Sequence, residues 1–331
     1  MRFIFTFIFL SIVAAGCKNG NRPEVRKRVE EIHIERLDRD LFALDTLYPD
    51  VEVLRKKYGR YLNIYSYGVL NLGLPESEQF PELLTLFLRD PVMRELADSV
   101  AQAYPDLHEQ EKWLSLAWAY YDYYFPGRER PRIYAHISGF NQSVIVDSAA
   151  VGISLDNYLG EQCVFYSMLA VPIPFYARKK MTGEDIPRDV LTAWLSTEFP
   201  FRPQEQDLIS GMIYQGKLAY VLQQLFPDKP LCWSLGFTPE QQQWCRDNER
   251  QIWSFLIENE LLFSTQQKVL MKYLNDAPFT SGMPTESPGR AVVWTGLQIV
   301  KKYEEKKGIS LPDLMEEQDY RQILRSAGYR P

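Results

Sequence analysis

From Pro187 to Phe226 the apolar residues recur at helical spacing. Val190, Leu191, Trp194, Leu195 and Phe199 form one stripe. Leu208, Ile209, Met212, Ile213, Leu218, Val221, Leu222 and Leu225 form a second, after a Pro-rich break at Pro200–Pro203. The pattern predicts two apolar helices joined by a tight turn in the middle of a core. Upstream, Val51–Tyr58, Glu82–Leu88, Pro91–Ala103 and Asp106–Tyr124 read as helices, and Asp38 or Asp40 as the N-cap of a shorter one. Three β-branched or aromatic runs follow: Arg132–Ser138, Ser143–Asp147 and Val151–Leu155. Their short separations predict a small antiparallel meander. Downstream, Thr238–Glu260 reads as one helix opened by a Thr-Pro-Glu start. Gln266–Leu274, Pro288–Tyr303 and two short C-terminal pieces complete the helices.

No repeat, low-complexity segment or long linker follows Val29. The organisation is therefore one α-rich α+β domain with a small mixed or antiparallel sheet packed on helices; two subdomains dividing near residue 130 is the alternative. With 46% hydrophobic residues in 331, the chain has ample material for such a core. A net charge of −6 argues against nucleic acid as a partner.

The first residues have another character. Met1-Arg2, the apolar run Phe3–Ala15 and the small residues at its end read as a signal peptide, too short for a permanent span. Ala14-Ala15-Gly16-Cys17 resembles a lipobox, in which the cysteine is acylated and becomes the N-terminus. The alternative is an ordinary signal peptide with a chance cysteine. The division is then a signal peptide over 1–16, a lipid-attachment cysteine and basic tether over 17–30, and a globular domain over 31–331. Several acyl chains, at about 0.8 kcal/mol per buried methylene, hold a protein firmly on a bilayer. No acidic residue directly follows Cys17, which by resemblance to lipoprotein sorting patterns fits an outer-membrane anchor facing the periplasm. Cys163, Cys232 and Cys245 remain. Cys232 and Cys245 could close a disulfide, or all three could be buried thiols, and their spacing does not suit zinc.

Five blocks together resemble the GldB gliding-motility lipoproteins of Bacteroidetes. They are Arg36–Phe42, Leu155–Gly160, Tyr214–Tyr220, Trp244–Glu249, and Pro288-Gly-Arg290 with Trp294, Gly296, Gln298 and Ile299. The resemblance runs from about residue 33 to 305. It implies a membrane-anchored envelope protein, associated with gliding or a related envelope-assembly role, whose partners are the bilayer through acylated Cys17 and other envelope proteins.

That family in turn resembles predicted zinc peptidases with a zincin-like fold. In those, one helix supplies His-Glu-x-x-His and a second a glutamate before a glycine, because two imidazoles one turn apart converge on a metal. Here Ala193–Thr197 and its neighbours hold no histidine, and Gln215 precedes Gly216 where the glutamate would stand. The three histidines, His33, His108 and His136, all precede that helix. The expectation is a scaffold without catalytic residues, metal or cofactor, binding protein in a groove whose candidate residues are Tyr214, Gln215, Arg290 and His136.

Other signals compete with plainer readings. Gly211–Lys217 has P-loop spacing, but Leu218 replaces the hydroxyl residue and no strand precedes it, so helix packing is the better account. Asp185 with Asp189, and Glu258 with Glu260, could be acid–base pairs, but such spacings are common on solvated faces. Trp118–Phe125 is aromatic enough to stack on a glycan. A hydrolase with a divergent site and a glycan-binding lipoprotein are therefore the alternative functions.

Overall fold

The computed structural model describes Val25 and residues 29–331; the signal peptide, Cys17 and most of the tether lie outside the described residues. Among the described residues no helix is long and apolar enough to cross a membrane.

Four strands make one sheet in the order β1-β2-β4-β3. β1 (Ile34–Arg36) runs parallel to β2 (Arg132–His136), and β2 parallel to β4 (Ala150–Ser154). Only β3 (Val144–Asp147) is antiparallel to its neighbour. The antiparallel meander predicted from the runs is thus corrected to a mixed sheet. The cause lies in the β2–β3 link. Gly139 and Phe140 both take left-handed backbone, with φ of 68° and 67°. The buried Asp156 carboxylate accepts from the N–H groups of Ser138 (3.1 Å) and Phe140 (2.7 Å). The turned link carries β3 past one strand position, and β4 returns into the gap beside β2. Because β1 belongs to this sheet, residues before and after 130 share one architecture.

Strand alternation divides the core into two. Ile133, Ala135, Val151 and Ile153 face the larger cluster, whereas Tyr134 and Ala150 face a smaller one. The smaller core is covered by α1 (Leu37–Phe42), α2 (Val51–Tyr58), α3 (Arg60–Asn63) with a π-helical turn over Ile64–Val69, and α4 (Phe80–Arg89). Neither Asp38 nor Asp40 caps α1: Asp38 holds the Arg36 guanidinium at 2.7 Å, and Asp40 accepts from Tyr58 Oη at 2.6 Å.

α5 (Pro91–Ala103) and α6 (His108–Tyr124) reach the larger core, where α6 buries Trp118 and Tyr121. After short turns α7 (Phe165–Met168) and α8 (Phe175–Arg178) come the two predicted central helices, α9 (Ile186–Glu198) and α10 (Leu208–Leu225). Asp207 starts α10: its carboxylate accepts from the Ser210 N–H at 3.0 Å. Buried between neighbours, α10 is apolar nearly all round rather than along one stripe.

α11 (Leu231–Leu235) ends at Gly236, whose φ of +66° is left-handed. The single helix predicted over Thr238–Glu260 is two, α12 (Pro239–Asp247) and α13 (Glu249–Glu258). Asn248 breaks it, its side-chain amide donating to the Trp244 carbonyl at 2.9 Å. α14 (Gln267–Leu274), α15 (Ala291–Lys307), α16 (Leu311–Glu316) and α17 (Tyr320–Ala327) close the chain, with α15 packed along α10.

Candidate functional site

A cleft of about 500 Å³ opens between α9, α10 and the segment leading into α15. Thr192 and Ser196 of α9, one turn apart, line it, with Tyr214 and Gln215 of α10 opposite and Arg290 at the entry to α15. Ser143, just before β3, stands on its rim. An adjoining hollow of about 400 Å³ shares Lys180, Arg188 and Gly236 with it.

The polar side chains are held in place by one another. Gln215 donates through Nε2 to the Leu274 carbonyl at 3.3 Å and accepts at Oε1 from Arg290 Nη1 at 3.3 Å. Arg290 also donates from Nη2 to the Leu235 carbonyl at 3.1 Å, and its Nε lies 2.9 Å from Asp276 Oδ1. Lys180 Nζ reaches the same Asp276 oxygen at 2.9 Å. Burial opposes the Asp276 charge, but the Arg290 and Lys180 cations outweigh it and hold its carboxyl below the usual range. Burial, and then the charge of Arg290, push the Lys180 ammonium below its usual value. Arg188 is gripped by Asp185 at 2.6 Å and Asp189 at 2.9 Å.

Tyr214, Gln215 and Arg290, three of the candidate groove residues, therefore share one cleft. His136 does not join them, and its assignment to the groove is corrected. It lies on the strand face that carries Tyr134 toward the smaller core and is fully buried. Its Nδ1 meets Tyr61 Oη and its Nε2 meets Ser154 Oγ, both at 2.7 Å, and burial pushes its pKa down to about 3.

The competing signals also find their places. Asp185 and Asp189 serve Arg188, while Glu258 and Glu260 are exposed. Gly211 and Gly216 lie within α10 against Leu274 and Gly296, and Lys217 is buried with its Nζ donating to the Glu317 carbonyl. That arrangement has no phosphate-binding loop. Of the aromatic run, Tyr120 and Tyr121 are core residues and cannot form the glycan platform considered for them; Tyr123 is 58% exposed. Cys163, Cys232 and Cys245 are free thiols.

The donor set does not suit zinc, which takes imidazole, thiolate or carboxylate. Two hydroxyls and an amide face each other across the cleft, and its carboxylates are engaged by Lys180, Arg188 and Arg290. Among the described residues no three His, Cys, Asp or Glu side chains are grouped to hold a metal ion.

Lys180, Arg188, Ser234 and Asp276 were not among the residues singled out from the sequence as groove candidates. Lys180 is the last of the run Arg178-Lys-Lys180, a basic cluster that reads as solvated surface until the fold turns it inward.

No curated protein and no solved structure matches the chain. Residues 18–331 match the model of the family described as gliding motility protein GldB. That span includes the whole cleft and both cores, and the chain belongs to the GldB gliding-motility protein family.

Proposed function

We propose that this chain is a lipid-anchored, gliding-associated envelope protein that holds an extended segment of another envelope protein in its cleft without cleaving it. Acylated Cys17 would tie it to the outer membrane on the periplasmic side. The observation that carries the reading is the position of β3. It is one of the two edge strands of the sheet, it packs beside α9, and Ser143 at its start lines the cleft.

An edge strand recognises an extended chain through its backbone, with side-chain pockets adding selectivity. The Ser154 N–H donates to the Ser143 carbonyl at 3.0 Å, so the 143/154 pair is hydrogen-bonded. Alternation along the antiparallel register then turns the N–H and C=O groups of Val144 and Val146 to the open edge. By resemblance, peptidases of the zincin type receive substrate along such an edge. The helix that would carry their imidazoles corresponds to α9, where Ala193–Thr197 and its neighbours hold no histidine, so the reading keeps the binding and drops metal-activated water.

The test places a photo-crosslinking residue at Thr192 in envelope-bound protein, with Tyr48, 84% exposed and outside the cleft, as control. A discrete crosslinked protein from position 192 and not 48 is expected, and V146P should abolish it while the chain stays folded, because that N–H is outside the ladder. Identical products from both positions would sink the groove. Stoichiometric metal with EDTA-sensitive peptide hydrolysis by the purified chain would replace it with a peptidase.

A further inference from the structure

Three cations of the cleft converge on one bare stretch of backbone. A Cβ built on Gly236 would lie 3.7 Å from Arg290 Nη2, 3.7 Å from Lys180 Nζ and 3.8 Å from Arg188 Nη1. The glycine keeps its left-handed turn and leaves the space in front of the three nitrogens unobstructed. Each cation is fixed before any ligand arrives: Arg188 by Asp185 and Asp189, Arg290 by Gln215, the Leu235 carbonyl and Asp276, and Lys180 by Asp276.

A second, independent feature points the same way. Ser234, 5% exposed, lines the cleft two residues before Gly236, and its buried Oγ has no hydrogen-bond partner. A buried hydroxyl left without a partner is destabilising unless a ligand supplies one.

We infer that Lys180, Arg188 and Arg290 around Gly236, with the Ser234 hydroxyl, form a receptor for one carboxylate. The inference rests on the peptide-groove reading above, and the carboxylate is the C-terminal one of the segment that the groove holds. Donor geometry selects it. Lys180, Arg188 and Arg290 are matched by Asp276, Asp185 and Asp189, so the cluster offers converging N–H donors rather than surplus charge. Asp185 and Asp189 also accept from Thr182 Oγ1 at 2.6 Å and Tyr158 Oη at 3.1 Å. A carboxylate brings two acceptor oxygens and one negative charge to those donors, whereas a dianionic phosphate would bring twice the charge against the same three carboxylates. The depression of Lys180 by burial and by Arg290 is what an arriving negative charge relieves. Because Ser143, Arg188 and Arg290 line one cleft, a peptide leaving the β3 edge reaches the three cations without leaving its walls.

The experiment offers the full chain, purified in detergent, a mixed-sequence octapeptide pool prepared both as free acids and as C-terminal amides. Retained peptides are counted by mass spectrometry. Charge-assisted bonds predict that acids are retained about ten-fold or more over amides. K180Q should lose that preference, K180R should keep it, and S234A should weaken it with the unfolding midpoint unchanged. Equal retention of acids and amides by the wild type, or an unchanged preference in K180Q, overturns the carboxylate receptor and leaves the groove standing. If no peptide is retained, groove and receptor both fail. If, in addition, inorganic phosphate raises the unfolding midpoint of the wild type and not of K180Q, the cluster is a phosphate site and the inference is wrong in class.

Discussion

Gly216 on α10 lies directly against the backbone of Gly296 on α15. A Cβ on Gly216 would stand 2.4 Å from the Gly296 carbonyl carbon, and one on Gly296 only 1.9 Å from the Met212 carbonyl oxygen. The two helices therefore touch main chain to main chain, immediately behind Gln215 and the cleft wall. Neither neighbour is a side chain that could swing aside. G216A and G296A should each cost about 3 kcal/mol or more by overpacking. G68A is the control, since its Cβ would meet only Ile145 Cδ1 at 3.8 Å. Urea unfolding of the three variants checks this, and a G296A protein as stable as G68A would refute the contact.

Asp207 and Arg321 join the start of α10 to α17. The carboxylate is fully buried and accepts from Ser210 N–H and Oγ and from Arg321 Nη2 at 2.7 Å. D207A removes a cap and strands the Ser210 donor, so a loss of about 3 kcal/mol is expected. R321M should cost less, about 1–2 kcal/mol, because the guanidinium is 40% exposed and its removal lets water reach the carboxylate. A double-mutant cycle should show coupling of about 1 kcal/mol between the two sites, and strict additivity would contradict the pairing.

His136 makes stability fall in acid. Burial holds its folded pKa at about 3 against an ordinary 6.5. As pH drops through 6.5 the unfolded chain takes a proton that the folded chain refuses, and the folded state loses ground until pH nears 3. H136Q should be less stable at pH 7, having lost the ring between Tyr61 and Ser154. The gap between wild type and H136Q should narrow as pH falls across that window. Parallel stability curves would rule the effect out.

Lys217 works at the other end of the scale. It is fully buried, its Nζ donates to the Glu317 carbonyl and sits 4.8 Å from the Tyr320 ring centre, and burial lowers its pKa to about 7. Unfolded, it titrates at about 10.4. Between those values the unfolded chain binds more protons, so stability rises with pH through the window and the penalty is complete below pH 7. Measured against K217M, which has no such titration, the wild type should gain from pH 7 to 10. Tyrosines that titrate in the same range cancel in that comparison.

The elements most readable from the chain were those with local signals. α2 and α5 span the predicted Val51–Tyr58 and Pro91–Ala103, set by Asp50 and Asp90 caps whose carboxylates accept from the first-turn N–H groups. The central pair is also where the apolar spacing puts it. Reading stops where a residue's neighbour is remote in sequence. Nothing near residues 132–155 says that β4 will insert beside β2, because that pairing depends on Asp156 folding back onto Ser138 and Phe140. Likewise the single helix expected over Thr238–Glu260 obeys its local spacing, and it is Asn248 bonding back to Trp244 that divides it.

The site shows the same limit. Tyr214, Gln215 and Arg290 were accessible because motif order placed them near the paired helices. His136 stands on a strand that the sequence makes legible, but only strand register decides which face it takes, and that face is turned away from the cleft. Lys180 and Asp276 are 96 residues apart and meet through an ion pair that no spacing rule anticipates.

By itself, then, the sequence determined most helix positions, the family and the absence of histidine from the two central helices, since periodicity, caps and residue identity are properties of adjacent positions. Tertiary structure decided the parallel pairing of β2 with β4, the burial of His136 and Tyr121, and the meeting of three cations at Gly236. These depend on distances between residues far apart along the chain, which exist only after the two cores have closed around the sheet.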